Sequence, residues 1–236
     1  MLSIGTITLY GFIVGIIGTG LGGLFSLFIK ESNKILSFLL GLTGGFMLFI
    51  VTFHLLPESF ILGGLITAVI GIVLGILLVI MVENMIQKTS DNSLMKSAIL
   101  LGISIAVHNF PEGLALGSSF LGISDFGPVL ALAMLLHNIP EGISMAIPMK
   151  INRTNPIKII LLTILTGIPT GIGTFIGAYV GMISNTFISL CLSFAGGTML
   201  YIITDEIIPS AKNLCSGRVS SLGIILGFVI GIILYL

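Results

Sequence analysis

A chain of 236 residues that is 56% hydrophobic, only 8% charged and of mean hydropathy +1.23 cannot hide its apolar surface from water. A lipid bilayer is the solvent that suits it. Nine basic and nine acidic residues cancel to a formal charge of zero, which gives nucleic acid or an anionic partner no electrostatic footing.

A membrane span needs about 20 mostly apolar residues, and punctuation by Pro, Gly, Asn and charge predicts eight of them. Continuous runs of this length are helical and not the alternating strands of a barrel. The first, about 4–29, has no basic start and is too long for a secretory signal, so it reads as a retained span. Lys30 and Lys34 follow it, then a second span at about 35–56 and a third at about 65–85 with Gly71 and Gly75. Lys88 and Lys96 precede a fourth span at about 98–120, which contains "HNFPEGLALG". The fifth, about 128–148, contains "HNIPEGISMA" and leads to Lys150, Arg153 and Lys158. A sixth at about 157–182 carries Gly173, Gly177 and Gly181; a seventh covers about 187–208. Lys212 and Arg218 come before the eighth, about 219–236, with Gly223, Gly227 and Gly231. Glycines every four residues fit close helix packing. Cys191 lies in an apolar run and Cys215 in a polar loop, so both read as free thiols.

All nine basic residues fall in alternate loops. The positive-inside rule then puts those four loops in the cytoplasm and both termini outside. No loop is long enough for a soluble domain, so the work is done within the bilayer.

The fourth and fifth spans show what that work is. His108 and His137 each lie nine or ten residues into a span, roughly 15 Å deep in a ~30 Å hydrocarbon layer. Ionisable groups at that depth are costly and are normally paired, metal-bound or on a wet path. His108 with Glu112, and His137 with Glu141, share a helix face at i and i+4, which makes two clamps. The spans run antiparallel, so His108 comes level with Glu141 and Glu112 with His137. Two imidazoles and two carboxylates suit a first-row divalent cation of the zinc kind, with the carboxylates balancing its charge. Pro111 and Pro140 cannot donate to the carbonyls of Val107 and Leu136, and so bend each helix beside its clamp. Gly113 and Gly142 permit close backbone approach. A lone histidine in an apolar helix is more commonly a packing residue. Here the pattern occurs twice, and no Lys or Arg lies in the interior of any span to neutralise the glutamates, Lys158 standing at the loop margin of the sixth. Asn109 and Asn138, three residues before each glutamate, can reach a second ion bridged by the same carboxylates or can hydrogen-bond between helices.

At these residues the chain resembles the ZIP family of zinc- and iron-regulated transporters, in its prokaryotic form. The resemblance covers the whole chain. It implies an all-α membrane protein of eight helices in a 3+2+3 arrangement, with helices 1–3 and 6–8 as inverted repeats around the central pair. It also implies one transporter domain over residues 1–236, a binuclear metal centre between the fourth and fifth spans at His108, Asn109, Glu112, His137, Asn138 and Glu141, and metal movement through the plasma membrane into the cytoplasm. The cargo expected is Zn2+, with Fe2+, Mn2+, Co2+ or Cd2+ compatible with the same ligands. Lipid and the metal ion are the expected partners, and a homodimer is compatible with the sequence.

The repeat has a visible trace. The second span ends "HLLPES" and the seventh "TDEIIPS", each closing on acid and proline at opposite faces. His54 and Glu58 repeat the clamp spacing and read as an entrance site or as a pair near the headgroups. Asp205 and Glu206 read as an exit site, because acids are disfavoured at a helix C-terminus. Met47, where the family can offer a soft ligand, is a ligand or a packing residue. One position departs from the family: where relatives carry a glutamate after a proline, this chain has Thr170 after Pro169, so a second metal site should be weak or absent. An intramembrane metalloenzyme is the rival from another class, but zinc proteases need H-E-x-x-H, which is missing here. A divalent-cation channel could use the same ligands.

Overall fold

In a computed structural model that describes residues 2–29, 32–87, 94–121, 126–215 and 217–235, every regular element is a helix. In chain order these are α1 (Ile4–Ser26), α2 (Asn33–Ile50), a π-helical turn (Val51–Leu55), α3 (Leu56–Gln87), α4 (Leu94–Ser119), α5 (Phe126–Ile151), α6 (Pro156–Gly181) and α7 (Asn185–Ile202). A second π-helical turn (Ile203–Ile207), α8 (Ile208–Leu214) and α9 (Val219–Tyr235) follow. Local chemistry starts several of them. Ser3 Oγ accepts from Thr6 N–H at 3.1 Å ahead of α1, and Asn155 Oδ1 accepts from Ile157 N–H at 2.9 Å with Pro156 in the first turn of α6.

The molecule is turned inside out relative to a water-soluble protein. Ile61, Leu65, Ile66 and Ile225 face outward, while Thr19, Ser37, Thr163, Thr166, Ser189 and Ser193 are buried. Lipid rewards that distribution and water would punish it. Ile4–Ser26, Asn33–Val82, Gly127–Ile151, Pro156–Gly181 and Asn185–Leu214 are long and apolar enough to cross a membrane, and Val219–Leu234 is apolar but shorter. This is an integral membrane protein of the all-α class.

Two boundaries differ from the sequence expectation. The chain does not leave its helix after the second predicted span; it continues through Pro57 and breaks at Gly64, whose φ of 73° only glycine adopts cheaply. The predicted loop at 57–64 is therefore helix closed by one left-handed residue. The seventh span likewise runs on through α8 to Leu214, with Gly217 (φ 114°) in the turn beyond. Each continuation begins with a π turn two residues before a proline. Proline has no N–H and its ring crowds the carbonyl four residues back, so a wider turn there relieves both problems. Thr52 and Thr204 hydroxyls donate to the carbonyls of Leu48 (2.7 Å) and Leu200 (2.8 Å), satisfying acceptors at the change of hydrogen-bond register. Of the basic residues in the charge map, Lys30 and Lys88 lie outside the described residues.

The helices pack in two sets. α1, α4, α5 and α6 contact one another, and α2 with α8 and α9, and α3 with α7, form the rest; α2–α5 and α4–α7 contacts join the sets. The recurring glycines sit at these crossings. A Cβ at Gly45 would run into the carbonyl of Ile224, and one at Gly227 into that of Leu42, so α2 and α9 touch backbone to backbone. Gly197 against Ile72 and Gly75 against Phe194 repeat the same two contacts between α7 and α3. The register is shared throughout: α2 and α7 are both 18 residues, both π turns are five, and Gly44, Gly45, Met47, Leu48, Thr52 and Pro57 meet the same residue types at Gly196, Gly197, Met199, Leu200, Thr204 and Pro209. At the far end of α5, Lys150 Nζ donates to the carbonyls of Ser26 (3.1 Å), Leu27 (3.2 Å) and Ile29 (2.9 Å) where α1 finishes. Among the described residues, Cys191 and Cys215 form no disulfide.

Candidate metal centre

α4 and α5 run through Pro111 and Pro140 as single helices and hold both HNxPEG segments at the middle of the structure. Every polar member of the two segments is buried: none of His108, Asn109, Glu112, His137, Asn138 and Glu141 is more than 4% exposed. What allows two helices to bury so much polarity is the packing behind them. Gly113 faces the carbonyl of Thr170 on α6, and Gly142 faces that of Thr19 on α1, so the clamps are backed by neighbouring backbone.

The clamps meet crosswise, as antiparallel helices require. His108 Nε2 is 3.3 Å from Glu141 Oε2. His137 Nε2 is 3.3 Å from Glu112 Oε2 and 3.2 Å from Oε1, the first with hydrogen-bond geometry. Glu112, His137 and Glu141 each present a donor atom within 4.8 Å of the others, and His108 joins them through Glu141. Oε1 of Glu112 and of Glu141 has no hydrogen-bond partner among the described residues. A buried carboxylate oxygen left in that state is expensive. A divalent cation would satisfy both oxygens at once, and imidazole nitrogens complete a donor set of the zinc kind.

The asparagines behave differently from each other. Asn109 Nδ2 donates to the carbonyl of Thr166 at 2.8 Å, which leaves Oδ1 turned away from that bond and without a partner. The interhelical bond is therefore made, and it uses the amide nitrogen while leaving the amide oxygen available. Asn138 has neither Oδ1 nor Nδ2 paired, and packs against Gly18 of α1. Thr170 is fully buried with its Oγ1 unpaired, close to Gly15.

The outlying candidates separate. Glu206 lines a cavity of about 410 Å³ that begins at His108 and Glu141 and extends to the exposed ends of α2 and α8 at Asn33 and Asn213. Ser104 Oγ donates to Glu206 Oε2 at 3.3 Å. Asp205, its neighbour, is exposed and does not line that cavity. His54 is buried in the first π turn, its ring edge-on to Phe49 at 5.4 Å, and lines a cavity of about 60 Å³; Glu58 is half-buried in the following turn. Met47 is fully buried in the apolar core, as is its register mate Met199. Sequence reasoning did not find Ser144, which lines the cavity, or Ser104, which bonds to Glu206, because a serine in an apolar helix carries no signal that separates it from a packing residue.

Comparison with known proteins gives a consistent picture. The family model described as ZIP Zinc transporter matches residues 85–235. The chain is 30% identical over 249 residues to the zinc transporter ZupT of Enterobacter sp. (strain 638), covering 98% of this chain and 93% of that one. It is 27% identical over 245 residues to ZupT of Akkermansia muciniphila, covering 91% of each. Against the zinc transporter GufA of Myxococcus xanthus it is 34% identical over 139 residues, 58% of this chain and 55% of that protein.

Proposed function

The chain belongs to the ZIP zinc transporter family, prokaryotic type, a family of transporters and not of enzymes, and from that premise we propose that it carries Zn2+ across the plasma membrane into the cytoplasm through the buried His/Glu cluster of α4 and α5. It is a multi-pass membrane protein whose substrate is a divalent metal ion. The observation that carries the finer reading is the crosswise set of His108–Glu141 and His137–Glu112, buried in a protein whose exterior is apolar.

The chemistry follows from charge. Glu112 and Glu141 contribute two negative charges, which balance one divalent ion where the surroundings penalise any net charge. The imidazoles of His108 and His137 add neutral nitrogen, so the loaded site is close to electroneutral and can exist at mid-membrane. Asn109, Asn138 and Thr170 are uncharged, so a second ion would bring charge with nothing to offset it; we assign one divalent ion to the centre. Beyond it, Glu206, held by Ser104, and the hydroxyls of Ser144 and Ser210 provide oxygen along the wide cavity, which suits an ion being rehydrated on its way out. His54 at the opposite end is the entrance residue in this reading.

Orientation rests on the alternation of basic loops, which sets the ends of α2 and α8, and so the mouth of the cavity, on the cytoplasmic side. We infer eight crossings over one domain, residues 1–236, with α1–α3 and α6–α9 as inverted repeats around α4 and α5. The break at Gly64, which divides the long Asn33–Val82 stretch in two, and the shared register of the two halves support that arrangement.

Replacing both His108 and His137 by Ala should abolish saturable uptake of labelled Zn2+ into proteoliposomes while the purified protein stays monodisperse. Uptake equal to wild type would put the site elsewhere. Competition by Fe2+, Mn2+, Co2+ and Cd2+ in the same assay ranks the cargo.

A further inference from the structure

We propose that Phe46 is the outer barrier of the ion path, the side chain that separates the metal centre from the His54 end. Three cavities succeed one another along α2. The widest, about 410 Å³, is bounded by His108, Glu141 and Thr43; the next, about 160 Å³, by His137, Thr43 and Phe46; the last, about 60 Å³, by Phe46, Ile50 and His54. Thr43 is common to the first pair and Phe46 to the second. Residues 43, 46, 50 and 54 recur at three- and four-residue intervals, so one face of a single helix lines the whole series.

The two shared residues differ in what they offer an ion. Threonine has a hydroxyl and little bulk, so an ion with part of its water shell can pass it. Phenylalanine has no ligand atom and, at 4% exposure, no room to spare. For an ion arriving from His54 the ring must move. α2 cannot carry it aside by leaving α9, because Gly41, Gly45, Gly223 and Gly227 hold those two backbones in contact. The barrier opens by rotation of the ring or by parting of α2 from α5, whose Ala133 and Leu136 form the other wall. In the shared register the counterpart of Phe46 on α7 is Thr198, whose hydroxyl donates to the carbonyl of Ala195 at 2.8 Å. The other half of the molecule therefore has no ring at this position. The barrier is a property of one half only.

This inference rests on the His/Glu cluster being the transport site, and the test keeps the two apart because thiol labelling needs no metal. With Cys191→Ser and Cys215→Ser, Thr43→Cys is a reporter just inside the barrier. A membrane-impermeant methanethiosulfonate applied to intact cells should label it slowly, and adding Phe46→Ala should raise the rate about tenfold or more, as removal of a gate does. In proteoliposomes Phe46→Trp should slow Zn2+ uptake about tenfold at an unchanged half-saturating concentration, since the ring touches the path and not the bound ion. If Phe46→Ala is not recovered as monodisperse protein, Phe46→Leu takes its place in the labelling arm. Rapid external labelling with Phe46 intact, labelling that ignores the residue at 46, or wild-type uptake by Phe46→Trp would each overturn the proposal. Loss of uptake in the double histidine variant with labelling unchanged would leave both readings standing.

Discussion

Glu112→Gln should move the stability of this protein in opposite directions with and without metal. Glu112 is 1% exposed, and its Oε1 has no hydrogen-bond partner among the described residues. Burying a carboxylate costs several kcal/mol per ion after relaxation, and a histidine at 3.3 Å repays only part of it. Glutamine has the same shape, keeps an acceptor for His137, and carries no charge to desolvate. Metal-free variant should therefore melt at or above the wild-type temperature. With metal the order reverses. At free Zn2+ about 100 times its Kd, the wild type gains about 2.7 kcal/mol, which for a chain of this size raises Tm by about 5–10 °C. Loss of one of two anionic ligands should weaken binding by about 100-fold or more, since even outer hydrogen-bond partners of metal ligands are worth 10–100-fold. The variant then gains only about 0.4 kcal/mol at the same Zn2+, a shift of about 1 °C. Thermal unfolding in detergent, with chelator and with buffered Zn2+, reads both numbers. A variant that is less stable in chelator yet keeps the full Zn2+ shift would make Glu112 a structural residue, and the site assignment would fail.

Zn2+ uptake at fixed free metal and zero membrane potential should fall steeply below about pH 6, because metal binds neutral imidazole and ionised carboxylate and protons compete for both. Once both histidines are protonating, apparent affinity should drop more than tenfold per pH unit, and a flat profile from pH 7.5 to 5.5 would remove the histidines from the ligand set. Gly45→Ala should destabilise by about 1–3 kcal/mol, because the new Cβ meets the carbonyl of Ile224, which α9 cannot withdraw. Gly5→Ala is the counter-case: its Cβ would meet only Ser3 Oγ at 3.8 Å, so the gain of up to about 1 kcal/mol in helix propensity should survive. Equal melting temperatures for the two would refute the close α2–α9 packing.

How legible the protein is in its sequence depends on contrast. Glu112 and Glu141 stand out because a charge in a run of Leu, Ile and Ala has no cheap explanation, and their four-residue distance from His108 and His137 fixes a helix face without further information. The glycines at 223 and 227 are readable for the same reason, since a helix in lipid has little other use for so weak a helix former. Phe46 has no such contrast: an aromatic among apolar residues looks the same whether it packs, faces lipid or blocks a path. The π turns are hidden more deeply. Their cause, proline at 57 and 209, is visible, but proline at 111, 140 and 169 leaves no π turn, so the residue type alone does not decide. Asp205 and Glu206 are adjacent and equally charged, and neighbours on a helix point in different directions, so the charge alone does not tell that Glu206 lines the cavity while Asp205 does not.

Lys150 has a mechanical consequence. An ammonium has three protons, and all three converge on the last carbonyls of α1 from a single atom at the end of α5. Contacts that meet at one point resist separation but not swivelling, so this junction is a pivot. α1 and α5 are joined there like the two blades of a pair of shears. Gly22 and Gly142, which bring the two backbones into contact further along, limit how far the angle between them can change. Asn138 against Gly18 lies partway along the blades, so a few degrees of swivel at Lys150 becomes a displacement of the centre's own wall without a hydrogen bond being broken at the joint.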